Sequence, residues 1–278
     1  MRDLYNQAAL QSSRAITRLY STSFTWGICA LHPQLRDPIY SIYGLVRLAD
    51  EIVDTFPEIN QAQLLDELET ATYQALDRGI SVNPVLQSFQ HTVRCYAIDR
   101  DLVTAFFESM RMDLARKTHN PESFSKYIFG SAEVVGLMCL KVFCHGNNQL
   151  YNELSTSARK LGAAFQKVNF LRDLKSDFEE RGRIYFPGIA FETFSRRELD
   201  AIVADIEKDF DEALEGIRRL PKQSRQGVYL AYCYFRRLLN KIRNSSPQQV
   251  REQRIRINNG HKLWLLAQVY VRTALGMI

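Results

Sequence analysis

Apolar residues recur along this chain at helical spacing. Ile39, Ile42, Tyr43, Val46, Ala49, Val53 and Phe56 follow the i, i+3, i+4, i+7 template, and Leu161, Phe165, Val168 and Leu171 follow it again. That is the pattern of a helix with one buried stripe. Prolines 33, 38, 57, 84, 121, 187, 221 and 247 fall between such segments, where the missing N–H suits a helix start or forces a stop. The pattern predicts helices over 4–19, 37–55, 61–77, 83–96, 100–116, 122–145, 149–179, 196–215, 221–244 and 255–275. Alternating runs with hairpin signals are missing, connections are short, and no Gly/Ser-rich linker or fixed repeat divides the chain. The expected fold is all-α, a single-domain helical bundle over residues 1–278.

The 278 residues, 46% hydrophobic and 24% charged, suffice for a sizeable core and exclude a disordered or low-complexity chain. The longest apolar stretch, Val134 to Cys144, is interrupted by Lys141, which argues against a membrane-spanning helix. The first residues, MRDLYNQAALQSSR, carry charge and amides where a signal peptide is apolar. Cys29, Cys95, Cys139, Cys144 and Cys233 form no CxxC pair and read as reduced thiols, mostly packed as small hydrophobes. A cytoplasmic location is expected.

The net charge of +5 is concentrated. Arg236, Arg237, Lys241, Arg243, Arg251, Arg254, Arg256 and Lys262 face only Glu252 between residues 236 and 262. No nucleic-acid motif accompanies them, so nucleic-acid binding is not expected. A phosphorylated small molecule or an anionic lipid surface fits better, with a solvated helix face as the plain alternative.

Two acidic rows carry the chemistry. Asp50 and Asp54 stand four residues apart, hence stacked about 6 Å along one helix face, with Tyr43 and Arg47 before them on the same stripe. Stacked carboxylates repel unless something positive lies between them; on spacing alone, a solvated charged face is the favoured reading of the pair. The second row changes that balance. Gln166, Asn169, Asp173 and Asp177 make one polar stripe beside the apolar one, and Asn is unfavourable inside a helix unless its amide has other work. An amide carbonyl and two carboxylates on a line are oxygen ligands for a hard cation. If the two helices face each other, their oxygens converge on a cavity suited to Mg²⁺, or Mn²⁺ in its place, bridging to a diphosphate. Arg47 and Arg172 would add forked donors to the same phosphates.

These residues, together with Tyr20-Ser21-Thr22-Ser23-Phe24, the block Tyr43 to Asp54, the segment Tyr127 to Met138 and the run from Leu161 to Arg181-Gly182-Arg183-Ile184-Tyr185-Phe186-Pro187, resemble the phytoene/squalene synthase family of head-to-head prenyl transferases nearly end to end. The resemblance implies an isoprenoid-synthase-like bundle with a central cavity. It implies condensation of two prenyl diphosphates through a cyclopropylcarbinyl diphosphate to a linear hydrocarbon. The expected product is phytoene from two geranylgeranyl diphosphates, in carotenoid biosynthesis, with a dehydrosqualene or squalene type acting on farnesyl diphosphate as the nearest rival. By position, Asp50 and Asp54 would hold Mg²⁺ on one side of the cavity and Asn169, Asp173 and Asp177 on the other. Tyr20, Ser21, Thr22, Ser23, Tyr43, Arg47, Gln166, Arg172 and Arg254 would contact diphosphate. A carbocation needs dry, aromatic walls, for which Phe24, Tyr43, Phe165, Tyr232 and Phe235 are the candidates, although each taken singly reads first as ordinary core.

The resemblance has departures. Ser176 replaces a usual Glu, while Glu51 keeps the third acid of the first row. Thr22 stands where relatives often carry Lys, and Phe235 stands where a Tyr is expected, with Tyr232 and Tyr234 nearby. Asp113 has family counterparts but reads first as an exposed helical acid, with a place in the cavity as the alternative. Leu263 to Arg272 reads as a final core helix, with peripheral contact at a bilayer interface left open. The chain ends at Ile278, without the length of the reducing squalene synthases, so no NADPH is expected. Oligomeric state is not legible. Two other readings share parts of this pattern: a head-to-tail elongase or cyclase, which would lack the Asn169 to Tyr185 segment, and a non-catalytic scaffold, which would have lost the acids.

Overall fold

The computed structural model describes residues 2–115 and 117–274. Helices α1 (Arg2–Tyr20), α2 (Thr22–Cys29), α3 (Pro33–Thr55), α4 (Gln61–Arg78), α5 (Pro84–Tyr96) and α6 (Arg100–Ala115) form the first half. Helices α7 (Pro121–Ile128), α8 (Val134–Cys144), α9 (Asn148–Glu179), α10 (Arg196–Arg219), α11 (Lys222–Arg243), α12 (Pro247–Glu252) and α13 (Asn259–Ala274) follow. Among the described residues no strand forms, although an isolated parallel bridge joins Thr118 to Ile184. The predicted helix ends at 116 and 275 lie outside the described residues.

Many helix starts are capped as side-chain chemistry dictates. Asn83, Asn147 and Ser195 accept hydrogen bonds from first-turn N–H groups, and Ser195 with Glu198 completes a capping box. The expected helices omit α12 and end α10 four residues early, and four further departures have a clear physical reason. α3 starts at Pro33 and runs through Pro38; one lost backbone bond is outweighed by burial of Leu35, Ile39, Tyr40 and Ile42. α2 is too short to show a period and is set by Ser21, whose hydroxyl accepts from Phe24 N–H at 3.2 Å. The expected helix 122–145 contains a π turn at Phe129–Glu133, an insertion common beside functional sites. The last helix begins at Asn259 rather than 255, because Ile255 and Ile257 are buried on an extended strap.

Two apolar cores flank a cavity. Ile42, Leu45, Leu65, Phe89, Phe106 and Met138 belong to one, which α3 to α6 and α8 share. Val168, Leu171, Phe210, Leu230 and Leu239 belong to the other, around α9, α10 and α11. Close approach of α8 and α9 at the cavity wall requires glycine: a Cβ on Gly162 would lie 2.5 Å from the carbonyl oxygen of Ala132, and one on Gly136 2.8 Å from that of Ala158. The helical run Pro121–Cys144 is long and apolar enough to cross a membrane by length and composition, yet 56% of its apolar window is buried within the molecule. A place in the core accounts for that composition. The cysteines are free; Cys144 is buried, but Cys29 and Cys95 are exposed rather than packed as expected.

Candidate active site

The cavity, about 1260 Å³ in volume, lies between the two cores and is lined by α2, α3, α6, α8, α9, α10, α11 and the strap before α13. Both acidic rows line it: Asp50 and Asp54 from α3, Asn169, Asp173 and Asp177 from α9. So do Tyr20, Ser21, Thr22, Ser23, Phe24, Tyr43, Arg47, Gln166, Arg172, Phe235 and Arg254. The structure thus brings together every residue the sequence nominated for metal or substrate.

One guanidinium fixes the facing of the rows. Arg181 lies 3.2 Å from Asp54 and 3.3 Å from Asp177, so a single side chain touches an acid of each. Its neighbour Arg183 donates to Asp54 at 2.7 Å and to the carbonyl of Val53 at 2.9 Å. Both arginines reach inward because α9 ends in a left-handed turn at Gly182, φ 64°. The N–H groups of Gly182 and Arg183 return there to the carbonyls of Phe178 and Asp177, a backbone shape that favours glycine.

Other cations hold the remaining acids. Arg47 pairs with Asp50 and donates to Glu51 through Nε at 3.1 Å, and its guanidinium lies 4.2 Å from the Tyr20 ring centroid. Asp173 takes Arg172 Nε at 3.0 Å and Arg254 Nε at 2.8 Å. Asn169 donates to Gln166 at 3.4 Å, but its carbonyl oxygen is buried without a hydrogen bond. A buried carbonyl left unpaired is costly, and this one sits on the acidic row. That orphaned oxygen, on the same row as Asp173 and Asp177 and in the cavity that Asp50 and Asp54 also line, fits a hard divalent cation. Among the described residues no three acidic or sulfur and imidazole ligands converge on one point. The arrangement therefore suits an ion that takes one or two carboxylates and fills its shell with water and phosphate oxygens, as Mg²⁺ does.

Burial shifts the acids. Asp50 is pushed up to about 6 by burial and then by the charge of Asp54, against the pull of Arg47. Asp177 is pushed up to about 7 by burial and then by Asp173. Asp113, expected on the surface, is instead 7% exposed and is pushed up to about 7, again chiefly by burial. A carboxyl raised from about 4 to about 7 on folding binds more protons folded than unfolded across that interval. Its stabilising contribution is full below about pH 4 and is lost as the pH rises through about 7. The metal-free protein should therefore melt lower at about pH 7.5 than at about pH 5.5, and the gap should narrow in Asp177→Asn. Thermal melts in EDTA read this; an equal gap in the variant would contradict it.

Asp113 corrects the surface reading. It accepts hydrogen bonds from the Tyr127 hydroxyl at 2.7 Å and the Tyr185 hydroxyl at 3.0 Å, with Arg183 at 3.8 Å. Arg183 would be pulled down by burial alone, but Asp113, Tyr185 and Asp54 outweigh that and raise it. Arg181, Arg183, Tyr127 and Tyr185 were absent from the nominated site. Their signal was the Arg-Gly-Arg-Ile-Tyr run itself, two cations and a phenol immediately after an acidic row.

Four of the five aromatic candidates, Phe24, Tyr43, Phe165 and Phe235, line the cavity. Phe165 and Phe235 stack at 4.1 Å, and Phe24 meets Tyr43 at 5.5 Å and Phe235 at 6.1 Å. Tyr232 does not line the cavity; it packs in the core against Phe210 and Tyr229. Tyr234, one step around the helix, lines the cavity instead.

Comparison with known proteins gives one consistent result. The Squalene/phytoene synthase family profile matches residues 17–261. The chain is 28% identical over 301 residues to a 15-cis-phytoene synthase of Synechocystis, covering 95% of this chain and 86% of that one. It is 28% identical over 243 residues to an Arabidopsis thaliana chloroplastic phytoene synthase, covering 80% of this chain and 57%, less than two thirds, of the relative. A dehydrosqualene synthase crystal structure superposes with TM-score 0.84 at 21% identity, covering 97% of this chain and 98% of that one. A squalene synthase of Alicyclobacillus acidocaldarius superposes with TM-score 0.75 at 21% identity, covering 90% and 97%.

Proposed function

Since the chain belongs to the squalene/phytoene synthase family, we propose that it condenses two geranylgeranyl diphosphates head to head to phytoene, the entry to a carotenoid pathway. The observation that carries the reading is the guanidinium of Arg181 touching both acidic rows, since a diphosphate held by ions must lie between them. Asp50 and Asp54 on one side and Asn169, Asp173 and Asp177 on the other are the proposed ligands of Mg²⁺, or of Mn²⁺. The ion supplies charge that stabilises the departing diphosphate.

The chain's own groups do the rest. Arg47, Arg172 and Arg254, with Tyr20, Ser21, Thr22, Ser23, Tyr43 and Gln166, bind and orient diphosphate oxygens. At rest the arginines are tied to acids, so an arriving diphosphate competes for guanidinium groups already aimed into the cavity. Phe24, Phe165 and Phe235 present ring faces to the allylic cation and keep water off it. Each of the two steps releases one diphosphate and one proton, so no reductant is consumed.

Chain length is supported by a ruler built into α9. That helix lines the cavity from Leu154 to Asp177 and beyond. Leu154 lies about 22 Å from Asn169 along the axis at 1.5 Å per residue. An extended four-unit prenyl chain reaches about 19 Å and a three-unit chain about 14 Å, from ordinary carbon–carbon bond lengths. The longer one spans the distance once the ester oxygen is allowed for. Leu154, Leu140 and Leu220, packed with Phe143, close the far end.

Supplying C15 and C20 diphosphates separately, with hydrocarbon analysis and no NADPH, tests the reading. The expected result is a C40 product from the C20 substrate and a kcat/KM for C15 lower by about tenfold or more, from unfilled apolar space. Ala158→Phe, which fills the cavity just short of Leu154, should reverse that preference. A kcat/KM higher for C15 than for C20 in the wild-type protein would make it a dehydrosqualene-type enzyme, and no product from either would leave a scaffold.

A further inference from the structure

At rest, each carboxylate of the two rows already has a cation. Arg47 serves Asp50, Arg172 and Arg254 serve Asp173, and Arg181 stands between Asp54 and Asp177. A divalent ion that enters must therefore displace a guanidinium before it can take a carboxylate. Arg181 is the side chain that spans the gap between the rows.

Arg181 and Arg183, one residue apart from each other across Gly182, are held very differently. The Arg183 side chain is 9% exposed and donates to Asp54 at 2.7 Å and to the Val53 carbonyl at 2.9 Å. The Arg181 side chain is 26% exposed, and its hydrogen bond to Asp177 is 3.3 Å long. Its Nε lies 3.2 Å from Asp54 yet makes no hydrogen bond. Hydrogen bonds between ionised groups usually close to about 2.7–2.9 Å, so Arg183 is fixed and Arg181 is held loosely, by charge. A buried donor without an acceptor is costly, and an incoming oxygen relieves it. Arg181 already lines the cavity, and a change of rotamer re-aims its fork without moving the backbone.

What this guanidinium does next follows from charge. A diphosphate carries more charge than a carboxylate and takes the planar fork in two parallel bonds. When it enters, Arg181 gains by turning from the acids to phosphate. Asp177 then loses the cation that holds it, Asp54 keeps only Arg183 of its two, and the freed oxygens favour a metal ion. The reverse also holds, because an ion seated on either acid drives Arg181 toward phosphate. By linkage each ligand strengthens the other by the same factor. We infer that Arg181 is an internal counter-ion, which occupies the place of the metal in the resting protein and passes to the diphosphate on binding, so that ion and substrate bind together and each binds weakly alone. The inference rests on the metal and diphosphate reading above and adds to it the residue that couples the two.

The test is a pair of binding measurements on the full chain, neither of which needs turnover. Mn²⁺ alone is titrated by the paramagnetic resonance signal of the free ion, and inorganic pyrophosphate alone, in EDTA, by calorimetry. Arg181→Met keeps most of the stem and removes the charge. It is expected to bind Mn²⁺ about tenfold tighter than wild type and metal-free pyrophosphate about tenfold weaker, two shifts of opposite sign from one substitution. Arg181→Lys keeps the charge without the fork and should shift both the same way by about threefold, which carries the test if Arg181→Met does not fold. Mn²⁺ affinity that falls or stays level in the variants would overturn the inference, since Arg181 would then only hold the rows together or stand by. So would an unchanged affinity for pyrophosphate, since the guanidinium would then not pass to the phosphates. Mn²⁺ that binds none of the three proteins would overturn the metal reading itself, and the inference with it.

Discussion

Asp177→Asn is expected to lower turnover by about a thousandfold or more, roughly 4 kcal/mol in activation free energy, while raising the melting temperature by about 2–4 °C, the shift of roughly 1 kcal/mol in a chain of this size. The two effects share one cause. Asp177 is buried beside Asp173 and pushed up to about 7, so its charge costs the fold stability at neutral pH, only partly offset by Arg181 at 3.3 Å, until a metal ion arrives. The amide keeps the shape and removes the charge. Asp54→Asn separates the roles further. It should be equally inactive but less stable, because Asp54 is the acid that Arg183 and Arg181 both hold. Circular dichroism melts with steady-state rates read both variants. Near-wild-type turnover in either would contradict the metal assignment, and equal stability shifts would contradict the charge argument.

Arg183→Leu is expected to destabilise the protein by about 3–5 kcal/mol, the cost of removing one partner from a buried ion pair. Arg183 is among the few buried cations, with its guanidinium on Asp54, the Val53 carbonyl, Tyr185 and Asp113. Its loss strands Asp113 among two phenols and an apolar wall. Adding Asp113→Asn should recover part of the loss, since the stranded charge goes with it, and the recovered amount is the coupling energy of a double-mutant cycle. Urea unfolding measures it. A single-variant loss below about 1 kcal/mol would mean that the pair behaves as an exposed one, and the account of the cavity wall would fail.

The parts of this molecule legible in its sequence are those governed by local spacing. Asp50 and Asp54, and Asn169, Asp173 and Asp177, share helix faces by arithmetic alone, and the structure places both rows on one cavity. What spacing does not contain is the direction from which a distant element arrives. Asp113 looked like a surface acid because its neighbours Arg111 and Met112 say nothing of Tyr127, Tyr185 and Arg183, which come from beyond its helix. Tyr232 and Tyr234 differ by two residues, yet one faces the core and the other the cavity, a distinction that depends on how α11 is rotated against α9. Pro38 and the π turn after Ile128 show the same limit from the backbone side. Local rules predict a break or a regular turn, and tertiary packing overrides them where enough apolar surface is buried.

The central claim is that two facing rows of oxygen ligands hold divalent ions against a diphosphate. Crystals grown with Mn²⁺ and a thiolo-diphosphate analogue of the prenyl substrate, measured at the manganese absorption edge, test it most directly. The account predicts anomalous peaks inside the cavity, within roughly 2.0–2.3 Å of oxygens from Asp50 or Asp54 and from Asn169, Asp173 or Asp177, with Arg181 displaced from one of its two acids. Manganese bound elsewhere, or an analogue lying in the cavity with Arg181 still bridging the rows and no ion between them, would contradict it.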